Sequence, residues 1–197
     1  MGLPETIRAF VAIPLPAEIL AGITDIRRQL KSVCCGDSVR WVAPDYIHLT
    51  LRFLGLMPIA SLPELESALR RACSTAGPFQ LLPDGIGAFP TLNRPRVLWL
   101  GLSGDLEDLG TLQHLVLRET VGWGTHKDRK FHPHLTLSRI KDARAAGVRE
   151  VVEKVRSVVK PRFAPWRVEA VHLMQSELAP SGARHSELAT IPLAQAG

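Results

Sequence analysis

Histidine and threonine recur together at two places in this chain, as His48-Leu49-Thr50-Leu51 and, letter for letter, as His134-Leu135-Thr136-Leu137. Imidazole is the side chain that exchanges protons most easily near neutrality, and a threonine hydroxyl is a donor suited to an anion. Successive side chains of a strand point to opposite faces, so each copy presents its His and Thr on one face and its two leucines on the other. The leucines can enter a core while the polar pair faces a cleft. A single His-x-Thr reads as the wet face of a half-buried strand; two identical copies point to one composite acid–base site. The chemistry best matched to two imidazoles without a metal is in-line displacement at phosphorus. One His removes a proton from the nucleophile and the other protonates the leaving oxygen, each transfer contributing about 10²–10⁴-fold. Thr50 and Thr136 would then hydrogen-bond the non-bridging oxygens.

Other residues near the motifs leave alternatives open. Arg139 could bring a guanidinium fork to a phosphate, but strict alternation puts it on the leucine face, so that role needs a bend in the strand. Arg52, two residues past Thr50, could equally be a surface residue, and spacing does not choose between the two arginines. His132-Pro133-His134 invites a metal reading, yet no Asp, Glu or Cys stands at ligand spacing apart from Asp128 and Asp142 in the flanking loops. His114, His126, His172 and His185 are isolated in sequence and read as satisfied or surface histidines. Gly-x-Ser-x-Gly, P-loop and dinucleotide-binding glycine patterns are absent, which argues against a serine hydrolase, an NTPase or a nicotinamide enzyme.

The elements that must position the motifs follow from periodicity. Ile7–Leu15 reads as a buried strand closed by Pro14 and Pro16, and 17 to about 33 as a helix broken at Gly36-Asp37. Ile47–Leu54 supplies the first motif strand, ended by Gly55 and Pro58, and a helix covers about 61–76. Strands are expected at Phe79–Phe89 and Arg96–Leu102, then a helix at about 106–120 and a basic loop carrying Lys127, Arg129 and Lys130. After the second motif strand, Leu135–Ile140, come a helix from about 143 to 159 stopped by Pro161 and strands near Trp166–Ser176 and Ser186–Leu193. Each motif is followed by an arginine, a break and a helix, as a duplication would leave it. The order is α+β, and we expect residues 1–197 to form one domain of two lobes, each contributing one His-x-Thr.

Composition sets the boundaries. With 46% hydrophobic and 22% charged residues the chain is globular, since disordered chains are far more polar. A net charge of +5 favours an acidic partner such as RNA. Three cysteines, two of them adjacent at Cys34-Cys35, build no disulfide framework, and no apolar run reaches the roughly 20 residues that span a bilayer. The N-terminus has no basic region followed by an apolar core, so no secretory leader is expected, and the formal myristoylation match at Met1-Gly2 is set against Pro4 and the strand that follows. A soluble cytoplasmic protein is expected.

With both motifs placed, the chain resembles the 2H phosphoesterase superfamily, and within it the bacterial and archaeal RNA 2',3'-cyclic phosphodiesterases, also called 2'-5' RNA ligases. The matching residues are Arg8–Ile13, Arg40-Trp41-Val42, His48–Gly55, Gly87–Pro90, Arg96–Leu100, Phe131–Arg139, Ser176-Glu177-Leu178, Gly182 and Ile191-Pro192-Leu193. His185 departs from the pattern, because relatives often carry tyrosine there. The resemblance implies two antiparallel sheets flanking a cleft in a pseudo-twofold arrangement, helices on the outer faces, and one lobe built from both chain ends. It implies metal-independent, cofactor-free opening of a 2',3'-cyclic phosphate on RNA ends or small cyclic nucleotides to a 2'-phosphomonoester. In that picture His48 protonates the leaving 3'-oxygen, His134 activates water, Thr50 and Thr136 hold the phosphate, and Arg139 contacts it. Phe10 and Phe53 are offered as a platform for the terminal base, against the commoner role of such residues as core. Two rivals stand beside this reading: ligation as the reverse reaction, and an RNA- or nucleotide-binding module without turnover.

Overall fold

The computed structural model describes residues 5–32, 38–123, 130–144, 146–158, 163–179 and 182–195. Expectations resting on Cys34-Cys35, Gly36-Asp37, His126, Lys127, Asp128, Arg129 and Pro161 lie outside the described residues. In chain order the elements are β1 (Thr6–Ile13), α1 (Ala17–Lys31), β2 (Val39–Trp41), a 3-10 turn (Pro44–Tyr46), β3 (Leu49–Pro58), α2 (Leu62–Cys73), β4 (Phe79–Phe89), β5 (Val97–Gly104), α3 (Leu106–Glu119), β6 (Leu135–Ile140), α4 (Ala146–Val158), β7 (Trp166–Val168), β8 (Ala170–Ala179) and β9 (Gly182–Pro192). Apolar spacing explains the helices: Ile19, Ile23, Ile26 and Leu30 are the buried stripe of α1, and Leu65, Ala68, Leu69 and Ala72 that of α2. Among the described residues no helix is long and apolar enough to cross a membrane.

All strand pairs are antiparallel, in the order β7-β4-β5-β6-β3-β1-β8-β9, with β2 added beside β6. Counted outward from the middle, β3-β1-β8-β9 on one side matches β6-β5-β4-β7 on the other, so the sheet consists of two half-sheets related by a pseudo-twofold. A single residue pair, Leu49 with Leu135, joins them. The first half-sheet takes β1 from one end of the chain and β8 and β9 from the other, as the family resemblance implies. Helices α2 and α3 pack on it, α2 against β8 and β9 and α3 against β3, while α1 packs against α4.

Two boundaries differ from the sequence reading. The strand expected over Trp166–Ser176 is two strands in different half-sheets, β7 on the edge beside β4 and β8 beside β1. Trp166 and Val168 are buried and so are Val171 and Leu173, so the alternation slips by one residue at Glu169-Ala170, where the chain passes between the half-sheets. Likewise β3 does not stop at Gly55. Gly55 takes φ 74, which glycine adopts without strain, and the strand continues to Pro58 with Leu54 left out of register against β1.

Arg52 is buried at 7% exposure and holds α3 against β3. Its Nη1 donates to the carbonyl of Leu117 and to Thr120 Oγ1, both at 2.7 Å, and its Nη2 donates to the carbonyl of Trp123 at 3.4 Å. The last carbonyls of a helix lack intrahelical donors, and a cation there also complements the helix dipole. Arg52 therefore caps α3 and is neither a surface residue nor a cleft residue. Arg52→Ala is expected to lower stability by about 2–4 kcal/mol, because buried acceptors lose charged donors. Urea denaturation checks this, and a loss below about 0.5 kcal/mol would contradict the capping role.

Candidate active site

His48 and His134 each sit one residue ahead of their strand, β3 and β6. Each ring is held by the same local device: Nδ1 of His48 bonds the carbonyl of Tyr46 at 2.9 Å, and Nδ1 of His134 bonds the carbonyl of His132 at 2.6 Å. A carbonyl only accepts, so Nδ1 carries the hydrogen and Nε2 is left as the nitrogen that exchanges protons. Leu49, Leu51, Leu135 and Leu137 are buried, while both histidines and both threonines are half-buried on the opposite face, as alternation requires. The pairing of Leu49 with Leu135 fixes the register between the copies. Carried one residue further in each direction, it sets His48 against Thr136 and His134 against Thr50.

The second leucine of each copy is a β-bulge. Against β1, Thr50 pairs with Ala12 and Arg52 with Val11, leaving Leu51 unpaired; against β5, Thr136 pairs with Trp99 and Ser138 with Leu98, leaving Leu137 unpaired. A bulge adds one residue and resets the alternation beyond it. Arg52 and Ser138 consequently turn inward, at 7% and 0% exposure, and Phe53 and Arg139 turn out on the side of the His and Thr. The bulge supplies the break in alternation that puts Arg139 on the side of His134 and Thr136. The charge of Arg139 acts on His134, and the ring of Phe53, 57% exposed, lies 6.1 Å from that of Phe10. The two arginines that spacing left undecided thus separate, Arg139 to the exposed side that carries the His and Thr and Arg52 to the helix cap.

The surroundings of the two imidazoles are unequal. His48 stacks on Phe10 at 4.7 Å between ring centres, and the edge-on ring of His185 lies 5.1 Å away. Phe10 is 2% exposed, so it is core that backs His48. His185 also contacts Phe10 and Tyr46. A cavity of about 120 Å³ opens beside His48, walled by Leu15, Leu20, Asp45, His172, Met174 and His185. His134 meets Phe89 edge-on at 5.0 Å and Trp99 at 6.5 Å. Trp99 lies across Gly87 of β4, where an added Cβ would come within 2.3 Å of the indole. Burial pushes the His48 imidazole down to about 4; the charge of His185 and more weakly that of His134 act the same way, against the hydrogen bond to Tyr46. His134 is also lowered, by burial first and then by the charges of His132 and Arg139, against its own backbone bond. Isolation in sequence gave no signal for His185, Phe89 or Trp99, because strands far apart in the chain bring them in. His172 instead bonds Glu187 through Nδ1 at 2.7 Å, and His114 is exposed on α3. His132 is exposed, and among the described residues no three His, Cys, Asp or Glu side chains converge on a metal-sized site.

Comparison with known proteins gives a concordant result. A family model described as the 2'-5' RNA ligase superfamily matches residues 14–179. A protein of Archaeoglobus fulgidus named RNA 2',3'-cyclic phosphodiesterase is 32% identical over 92% of this chain and 97% of its own length. A protein of Aquifex aeolicus bearing the same name is 31% identical over 90% and 93%. Among solved structures, Escherichia coli LigT complexed with 3'-AMP matches with a TM-score of 0.74 at 29% identity, covering 97% of this chain and all of that one, at 100%.

The unequal burial is measurable. In a histidine-detected NMR titration His48 is expected to stay neutral until about pH 4, with His134 titrating below 6.5. Because unfolded histidine binds its proton near 6.5, stability should fall as pH drops from 6.5 towards 4 and then level off as far as His48 contributes. A His48 midpoint at or above 6.5 would contradict this account.

Proposed function

This chain belongs to the 2'-5' RNA ligase superfamily, and we propose that it opens RNA 2',3'-cyclic phosphate ends to 2'-phosphomonoesters by metal-independent acid–base catalysis with His48 and His134. The observation that carries this reading is the joining of the half-sheets at Leu49 and Leu135, with both neighbouring imidazoles offering Nε2. The names of the relatives supply the substrate class, and the LigT structure with 3'-AMP supports a nucleotide end as ligand.

In the reaction, water attacks phosphorus as Nε2 of His134 takes its proton. The bond from phosphorus to the 3'-oxygen breaks, and Nε2–H of His48 protonates that oxygen. The hydroxyls of Thr50 and Thr136 donate to the non-bridging oxygens, and Arg139 adds positive charge. The exposed face of Phe53 receives the terminal base. Replacing water by a 5'-hydroxyl gives a 2'-5' bond through the same steps, which is why the superfamily's description suits the machinery run in reverse. Binding alone would need donors but not two proton-transfer groups.

Incubation with a 2',3'-cyclic-phosphate-ended oligonucleotide in EDTA should yield the 2'-phosphate, and His48→Ala and His134→Ala should each lower kcat by at least about 10²-fold. Near-normal rates in either variant would refute the paired mechanism, and activity lost in EDTA but restored by zinc would refute metal independence. A 4-nitrophenyl phosphodiester needs no general acid, so His48→Ala should retain most of its rate on that substrate while His134→Ala does not; the opposite result would exchange the two roles.

The pH dependence follows from the free enzyme. Productive molecules carry one proton on the imidazole pair, and both groups are held below 6.5. The kcat/KM profile should therefore be bell-shaped with its maximum on the acid side of 6.5, falling at low pH as the pair gains a second proton and at high pH as it loses its first. A maximum above pH 7 would contradict the assignment.

A further inference from the structure

We propose that Arg40 and Arg139 form a paired-guanidinium subsite for the next backbone phosphate of the RNA strand, one nucleotide away from the reacting cyclic phosphate. The inference rests on the function proposed above and extends it from the terminal nucleotide to the chain behind it. Arg40 on β2 stands directly opposite Arg139 on β6 in an antiparallel register. Residues so placed project to the same face with their Cα atoms about 4.5–5.5 Å apart. The neighbouring opposed pair, Val39 and Ile140, is buried at 7% and 5% exposure, so the arginines take the other face. The bulge at Leu137 makes that the face of His134 and Thr136.

Like charges directly opposite each other weaken a strand pair. Nothing among the described residues offsets this one: the salt bridges involve Arg28, Arg70, Arg71, Arg118, Arg167 and His172, and neither Arg40 nor Arg139 makes a side-chain hydrogen bond. Both are exposed. The contrast is Arg52, whose guanidinium is occupied inside the fold. Two exposed, adjacent and uncompensated guanidinium groups beside a phosphate cleft are what a second phosphate would occupy, since their planar forks match phosphate oxygens. Arg96 and Lys141 add charge at the same end of β5 and β6, where Arg96 Nη1 donates to the carbonyl of Lys141 at 3.3 Å. Arg139 is three residues from Thr136, at most about 10 Å along the strand. Arg139 thus lies between the reacting phosphate and the next one, and Arg40 serves the next one alone. Such contacts set register on the strand without reading its bases.

The test compares a 2',3'-cyclic mononucleotide with a dinucleotide ending in a 2',3'-cyclic phosphate, which adds one phosphodiester. The native chain should favour the dinucleotide in kcat/KM, and Arg40→Ala should cut that preference about tenfold. For the dinucleotide the slope of log kcat/KM against log salt should become shallower by about 0.7 in Arg40→Ala, one phosphate contact on a single strand, whereas Arg40→Lys keeps the slope. Arg40→Gln is the second variant, and the thermal midpoint of either neutral variant should equal or exceed that of the native chain because a like-charge pair has been removed. An unchanged preference ratio and salt slope in the neutral variants would overturn the subsite. If the native chain turns over neither substrate, the function proposed above fails, and calorimetric affinity for the dinucleotide decides the subsite separately: an affinity unchanged in Arg40→Ala overturns it, and a tenfold loss supports it.

Discussion

The contact between Leu49 and Leu135 is the constraint on which the rest of the site depends. It is the single residue pair that joins β3 to β6, and the strand order runs outward from it in matching halves. Each leucine is flanked by the His and Thr of its own copy. Sending both leucines into the core obliges all four polar side chains to the other face, and the antiparallel register crosses them so that each His faces the other copy's Thr. The two imidazoles and two hydroxyls are therefore brought to one face by one hydrophobic pairing and not by four separate placements. The cost of moving either leucine would be felt by both motifs at once.

Strands bulged at the same motif position carry unequal linings. The bulge follows the threonine in both copies, yet it delivers an aromatic ring, Phe53, on one side and a cation, Arg139, on the other. The residue paired with the threonine is Ala12 in one half-sheet and Trp99 in the other. Where Gly87 leaves room for the Trp99 indole, the other half-sheet presents His172 beside Ala12. One half thus exposes an aromatic ring, and the other exposes a cation. The surroundings of the two imidazoles differ as well, since His48 stacks on Phe10 beside the ring of His185 and is lowered by burial from its free value of 6.5 to about 4.

Much of this was legible in the chain itself. The repeat gave the two motif strands and the leucine and threonine faces, because period-2 alternation is a local property. The α+β order and most element boundaries followed from Pro, Gly and helical spacing. What the letters could not show depends on register. A bulge has no signature in Leu137, so strict alternation puts Arg139 on the leucine face, whereas β5 skips Leu137 and turns Arg139 out. Arg52 and Arg139 look alike in sequence, but one meets the end of α3 and the other meets solvent. The passage from β7 to β8 was readable in principle, as the slipped burial phase at Glu169-Ala170, although a continuous run of strand-forming residues hides it. His185 reaches His48 through β9, which is distant in the chain, and no spacing rule reports such a neighbour.

On the proposed reading, the features that look unfavourable in the free protein share one remedy. Two imidazoles are held below their ordinary value because burial and neighbouring positive charge penalise their protonated forms. Two arginines stand opposed with no carboxylate between them among the described residues. An anion entering the cleft opposes both penalties, since negative charge beside an imidazole favours its protonated form and negative charge between guanidinium groups cancels their repulsion. Substrate phosphate would then raise the proton affinity of His48, and the acid would be loaded as the RNA end binds rather than beforehand. A neutral ligand of the same shape would leave His48 deprotonated, so charge as well as fit would select what the site can turn over.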